Sequence, residues 1–284
     1  MTHTGPLLQT ISDTARWAAV FRARESDRPD ALFRDPVARR LAGERGEQIA
    51  NTLPYGDRYS WSFVTRTQVI DQLIHDQIQQ GVDMVINLAA GLDARPYRMV
   101  LPPSFHWIEV DLPEIIHYKE KVLEGEKPAG NLERIGLDLV NGSARRDLFD
   151  RLGRIASKAL IITEGLLPYL SEEEVNSLAT DLAAPSSFQR WILDLLSPGL
   201  VKRLQRSLGP YLSHSGASMK FGPEEGPEYF TAYGWRPVKV YSMLTTAAHL
   251  HRLSFWLRLV ALLPEPTGRQ GSRPWGGVCL YARR

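Results

Sequence analysis

The chain reads as an α/β protein on a mostly parallel sheet, with a helical extension before the sheet and an insertion between its fifth and sixth strands. Three observations predict this. From residue 84 onward, apolar runs of strand length alternate with segments of helical period, and alternating β and α units build a parallel sheet with right-handed crossovers. The first eighty or so residues carry helical periodicity and no strand run. Residues 197–233, rich in Gly, Pro and aromatics, separate the fifth and sixth strand candidates, and connections of that length are commonly functional elements.

In chain order, Ser12 to Arg24 places apolar or small residues between arginines and reads as the first helix. Asp35-Pro36 opens a second, with Asp as N-cap and Pro in the first turn. Ser60 to Gln80 is long and amphipathic, with Val64, Ile70, Leu73, Ile74 and Ile78 at helical spacing and Gly81 as its stop. Strands are expected at 84–90, 105–111, 132–138, 159–164, 188–195, 235–241 and 277–283. Helices are expected at 94–100, 113–124, 143–152 and 171–183. Ser171 with Glu174 has capping-box spacing. Residues 1–81 are assigned to an N-terminal helical cap and 82–284 to the α/β domain, with 197–233 as a lid, all one continuous unit. Trp107, Trp191, Trp235 and Tyr281 lie in strand candidates and are expected in the core. Phe255 to Leu263 is too short for the ~20 residues of a membrane span and carries Arg258, so it reads as a buried helix segment.

A composition of 43% apolar and 23% charged residues supports a sizeable core without staples. A formal charge of +2 gives no footprint for nucleic acid or an anionic membrane. Cys279 is the single cysteine, which excludes an intramolecular disulfide and suits a reducing cytoplasm, the expected location. The N-terminus lacks signal-peptide layout. His249 and His251 have no partners at ligand spacing, so no metal site is expected. No Gly-x-Ser-x-Gly elbow or phosphate loop occurs. The pairs Arg145-Arg146 and Arg283-Arg284 read as solvated.

The chemistry concentrates where the first strand ends. Residues 84–95 run Met-Val-Ile-Asn-Leu-Ala-Ala-Gly-Leu-Asp-Ala-Arg, and Phe105 to Val110 ends in Asp111. A small-residue turn after one strand, with an acid closing the next, suits a nucleotide ribose held across two strand ends. Asp93 would repel a pyrophosphate at a helix N-terminus. A ligand with a positive centre and no phosphate, such as S-adenosylmethionine, is favoured there. Taken singly, each of these residues has a plainer reading: Asp111 and Asp138 as helix caps, Glu164 as a helix-entry carboxylate, and Arg66 as a surface residue of an amphipathic helix.

Residues 85–98 together resemble the first motif of the leucine carboxyl methyltransferase family, and most closely its bacterial branch of tetracenomycin-type polyketide carboxyl methyltransferases. Further motifs stand in order: Arg22-Ala23-Arg24-Glu25, Phe33-Arg34-Asp35-Pro36, Asp111-Leu112-Pro113 and Glu164-Gly165-Leu166-Leu167-Pro168-Tyr169-Leu170. The likeness runs from about Thr14 to Tyr281. It implies a class I methyltransferase-like (Rossmann-like) seven-stranded sheet and an S-adenosyl-L-methionine-dependent O-methyltransferase. It implies that Arg66, with Arg22 as a second candidate, receives the cofactor's methionine carboxylate. Gly91 then admits the backbone close to the ligand, Asp111 with Leu112 holds the ribose, Asp138 with Leu139 receives the adenine amino group, and Glu164 lies at the methyl-donor end. Ala89 stands where the family usually has Gly, and it fits if it keeps a negative φ.

A carboxylate acceptor is ionised at neutral pH and needs orientation rather than a base, and no residue is marked as a base. The implied acceptor is a small molecule, polyketide-like or otherwise aromatic. Its expected place is between the N-terminal helices and the insertion, with Tyr169, Tyr211, His214 and Tyr229 as positioning candidates beside Lys220, Phe221 and Phe230. Three other readings stay open: a binding module that keeps the cofactor without transfer, a protein carboxyl-terminal methyltransferase, and an NAD(P)-dependent oxidoreductase. Ala89, Asp93 and the missing second spaced glycine argue against the last. Sequence leaves the acceptor's identity and the oligomeric state open.

Overall fold

Met84–Leu88 (β1) and Ala159–Thr163 (β4) are buried at every residue, as strands must be when helices cover both faces of a parallel sheet. They pair in parallel at the centre of a seven-stranded sheet, here in a computed structural model that describes residues 11–52, 56–212, 218–264 and 274–284. The other strands are β2 (His106–Asp111), β3 (Asn131–Gly136), β5 (Phe188–Leu196), β6 (Trp235–Ser242) and β7 (Gly276–Arg283), in the order β3-β2-β1-β4-β5-β7-β6. β7 runs antiparallel to both its neighbours. The expected seven strands and mostly parallel pairing are present.

Period-two alternation sorts the strands' side chains. Met84, Ile86, Leu88, Ile108 and Val110 pack against α6 (Gly142–Ile155) and α7 (Glu172–Ala183). Val85, Trp107, Leu160 and Ile162 meet Ile70, Leu73 and Ile74 of α3 (Ser60–Gln79) on the other face. The helix α3 stops at Gly81, whose φ of +86° suits only a residue without Cβ. Ser171 caps α7 with the reciprocal Glu174 bond its spacing predicts. Two further helices, α1 (Ile11–Ser26) and α2 (Ala38–Thr52), form a third cluster: Trp17, Phe21, Leu41 and Ile49 close on Leu92 and Ala94 just past β1. They thereby roof the carboxyl edge of the sheet. No helix among the described residues is long and apolar enough to cross a membrane.

Several expectations are corrected. β1 ends at Leu88, not at residue 90, because Ala89 turns into the left-handed region at φ +53°. That conformation costs an L-residue about 1–2 kcal/mol. Ala89→Gly is therefore expected to raise the unfolding free energy by about 0.5–1 kcal/mol, once the extra freedom of glycine in the unfolded chain is subtracted; a urea titration of both proteins measures it. Asp35 does not cap α2. It accepts from the Arg22 guanidinium at 2.9 Å instead, and the helix starts at Ala38. Arg145 is buried, with bonds to Asp181, Ser177 and the Leu139 carbonyl, rather than solvated. Tyr281, Trp191 and Trp235 are fully buried as expected, but Phe230 of the insertion joins them at 0% exposure. The insertion thus divides into a helix, α8 (Pro198–Leu212), and a core-packed segment, Gly226–Tyr233. Beyond the short helix α9 (Met243–His249), Phe255–Val260 (α10) is helical but has no buried residue, contrary to its reading as a buried segment.

Candidate functional site

The turns that follow β1, β2, β3, β4 and β5 open into one cavity of about 1260 Å³. Ligands of open α/β sheets bind at this carboxyl edge. The floor comprises Ala89 to Asp93, Asp111-Leu112, residues 137–140, Glu164 to Leu166 and Asp194. Trp17 and Arg22 of α1, Phe63 and Arg66 of α3, and Leu200 and Leu204 of α8 form the walls and roof.

At β1 and β2 the backbone is pinned by a carboxylate. Asp111 accepts from the Gly91 N–H at 2.6 Å and from the Leu112 N–H at 2.7 Å, one bond per oxygen. Leu112, not Asp111, is the N-cap of α5 (Pro113–Val122), so Asp111 bridges two strand ends rather than capping a helix. Burial pushes its carboxyl pKa up, only partly offset by the two backbone donors. Each oxygen keeps a lone pair for a further donor. Gly91 has φ +51°, and a Cβ there would stand 3.4 Å from that of Ala15.

Beside this turn runs a continuous ion chain. Arg95, at the start of α4 (Arg95–Arg98), is 2% exposed and donates to Asp71 at 2.7 Å, Asp93 at 2.7 Å and Glu164 at 2.8 Å. Arg98 forks onto Asp71 at 2.6 and 2.8 Å. Arg66 donates Nε to Glu164 and Nη1 to Asp194, both at 2.9 Å. Asp194 also accepts from the Gly165 N–H at 2.6 Å. Gly165 has φ +66°, and a Cβ there would meet the Arg66 guanidinium at 3.4 Å. Burial works against ionisation of Glu164, but Arg95 and Arg66 outweigh it and hold its carboxyl below the usual range. Asp93 is held far lower by Arg95 despite its burial. Glu164 and Asp93 are therefore charged at neutral pH. Three guanidinium groups face four carboxylates, a formal charge of −1.

Asp93 therefore plays a different part from the one expected. Its carboxylate turns back to Arg95, the Arg95 N–H and the Asn87 amide at 2.8 Å. The formal negative charge belongs to the whole ion chain, not to that residue. Arg22 lines the cavity but is bound to Asp35 and the Leu92 carbonyl. Asp138 lies past the end of β3, which stops at Gly136; one oxygen accepts from the Val140 N–H at 3.0 Å while Asn141 caps α6. Asp138 and Leu139 both line the cavity. Tyr169 lines it too, and its hydroxyl has no hydrogen-bond partner among the described residues; burial raises its pKa. Tyr229 is not brought to the cavity: its hydroxyl lies 2.6 Å from Asn176 Oδ1 and 3.1 Å from Glu172 Oε1, two acceptors that share its one proton, and its ring packs against Phe221 and Phe230. Tyr211 of α8 packs against the α1–α2 cluster and is likewise not among the lining residues. His214 lies outside the described residues.

The residues missed as site members are Asp194, Arg95, Asp71 and Asn87. Asp194 had a signal: it is the one acid in the otherwise apolar second half of β5. Asp71 and Arg95 had none beyond ordinary amphipathic spacing, because their pairing joins α3 to the turn after β1.

Residues 15–183 match the leucine carboxyl methyltransferase family. A protein of Streptomyces coelicolor named as an S-adenosyl-L-methionine-dependent methyltransferase is 33% identical over 237 residues, 78% of this chain and 82% of its own length. One of the same description from Frankia alni is 33% identical over 240 residues, with the same coverage of both chains. Among solved structures, a protein from Thermobifida fusca named as a methyltransferase superposes with a TM-score of 0.61 at 15% identity, covering 98% of this chain and 96% of its own. That likeness concerns the fold.

Proposed function

The chain belongs to the leucine carboxyl methyltransferase family, and on that premise we propose that it transfers a methyl group from S-adenosylmethionine to the carboxylate of a small, largely apolar acceptor of polyketide-like or other aromatic character. It is an S-adenosylmethionine-dependent methyltransferase; the acceptor and the residue roles are our reading. The observation that carries it is the ion chain of net charge −1 lying beside the Gly91–Asp111 tie. A ligand with a sulfonium, an ammonium and one carboxylate carries +1, and its adenosine brings ribose hydroxyls and no phosphate. The residues present fit that group.

Arg66 spends Nε and Nη1 on Glu164 and Asp194, which leaves Nη2 for the methionine carboxylate. Asp111 would take the ribose hydroxyls on its remaining lone pairs, and Gly91 keeps Cβ atoms out of their way. Asp138, with one oxygen unshared, would receive the adenine amino group. When bound, the cofactor supplies a methyl carbon on a sulfonium leaving group, and attack by a carboxylate oxygen yields a methyl ester and a neutral thioether with no proton to move. The protein's task is alignment and exclusion of water. Tyr169 serves the alignment, its unpartnered hydroxyl donating to the acceptor oxygen from the cavity wall.

Two measurements test this. In calorimetry, S-adenosylhomocysteine should bind and NADP should not; Asp111→Ala should weaken that binding by tenfold or more (about 1.5–3 kcal/mol for a charge-assisted bond) while the far-UV spectrum stays unchanged. Incubation with tritiated cofactor and matched aromatic acids and phenols should give base-labile methyl esters on the acids. Label on the phenols alone would sink the carboxylate assignment.

A further inference from the structure

The family reading does not account for α10 and the residues just after it. Phe255 and Trp256 are 67% and 75% exposed, and Leu262 and Leu263 are 80% and 62% exposed. Monomeric proteins seldom display so many adjacent large apolar side chains without a ligand or partner for them. The patch is continuous with the cavity: Trp256, Leu257, Val260 and Leu263 also line it. Inside, Leu200, Leu204 and Leu208 on α8 extend the same apolar wall toward the strand ends. The cavity, at about 1260 Å³, exceeds the roughly 300–1000 Å³ that encloses a drug-sized ligand. An adenosyl cofactor at the strand ends would leave the α8–α10 side open for a second molecule.

We propose that α10 is the outer half of the acceptor site, and that the acceptor is an amphiphile: a carboxylate head that reaches the methyl-transfer point and an elongated apolar body that leaves the cavity along α8 and lies on Trp256, Val260 and Leu263. This rests on the carboxylate reading above and specifies the body attached to that head. Leu200, Leu204, Leu208, Leu257, Val260 and Leu263 supply the apolar side of this path, with Arg203 and Ser254 also lining the cavity, so we read selection along it as chiefly by apolar length. The exposed side chains lose their contact with water only when the acceptor is in place.

The probes are butanoate, octanoate and dodecanoate, each kept below its critical micelle concentration, with tritiated cofactor and the full chain. Each methylene that enters apolar surroundings should tighten binding by about fourfold, so KM should fall at least a hundredfold from butanoate to dodecanoate. Trp256→Ser should raise KM for dodecanoate about tenfold and leave butanoate and the affinity for S-adenosylhomocysteine unchanged. Equal kcat/KM across the series, or no ester from any of the three while S-adenosylhomocysteine still binds, overturns the proposal without touching the cofactor reading. Loss of cofactor binding in the unmodified protein would instead strike the reading beneath it. Co-sedimentation with phosphatidylcholine vesicles, or a dimer that Trp256→Ser dissociates, would overturn it if either occurs without preference for dodecanoate.

Discussion

Arg95→Met is expected to destabilise the protein by about 3–5 kcal/mol, since it strips the shared, buried cation from the half-buried carboxylates of Asp71, Asp93 and Glu164. For a chain of this size that lowers Tm by roughly 5–8 °C. The pH dependence separates this from simple loss of packing. In the unmodified protein Glu164 titrates below its ordinary value, with Arg95 and Arg66 overcoming burial, and Asp93 titrates lower still. Their stabilising contribution is present above the unfolded values, near pH 4–4.5, and is lost only as pH falls through the depressed folded ones. Without Arg95 the largest attraction is lost while the burial penalty stays, so the folded values rise although Arg66 still faces Glu164 and Lys119 and Arg98 act on Asp93. The contribution at neutral pH shrinks, and the loss relative to the unmodified protein fades as pH falls through those raised values. Urea titrations of both proteins at pH 7 and pH 4.5 should show the gap narrowing at the lower pH. A gap that is constant with pH would mean that Arg95 matters for its volume alone.

Arg66→Ala is expected to raise the dissociation constant for S-adenosylhomocysteine by ten- to a hundredfold, the loss of a charged hydrogen bond worth ~1.5–3 kcal/mol. The same substitution leaves Glu164 with Arg95, and Asp194 with only the Gly165 N–H. Some stability should therefore be lost as well, so calorimetry belongs at a temperature where circular dichroism shows the variant folded. Arg66→Lys should restore the ion pair's charge but not the fork, recovering stability more fully than affinity. Near-normal affinity in Arg66→Ala would reduce Arg66 to a structural member of the ion chain.

Order and type of elements were legible because their signals are local. Strand-length apolar runs, the Ser171 capping box and Gly81 at the end of α3 each depend on neighbours a few residues away. Asp111 was legible for the same reason: an acid at a strand end, twenty residues after a small-residue turn, is a spacing that topology turns into contact. Two further facts were within reach of sequence but ambiguous there. Phe255 to Leu263 is apolar whether it lies in a core or on a surface, and Arg145 is a cation whether solvated or bound to Asp181.

What the amino-acid order determined by itself was the sheet, the glycine turn, the acid that ties it and the family to which they belong. Only the tertiary structure decided that Ala89 takes a left-handed turn, that Asp93 looks inward to Arg95, and that Arg66 stands between Glu164 and Asp194. Periodicity reports which face of an element is apolar. It carries no record of which distant charge a buried charge will find, because that partner is chosen by Coulomb attraction and desolvation once α3, the β1 turn and the ends of β4 and β5 have been packed together.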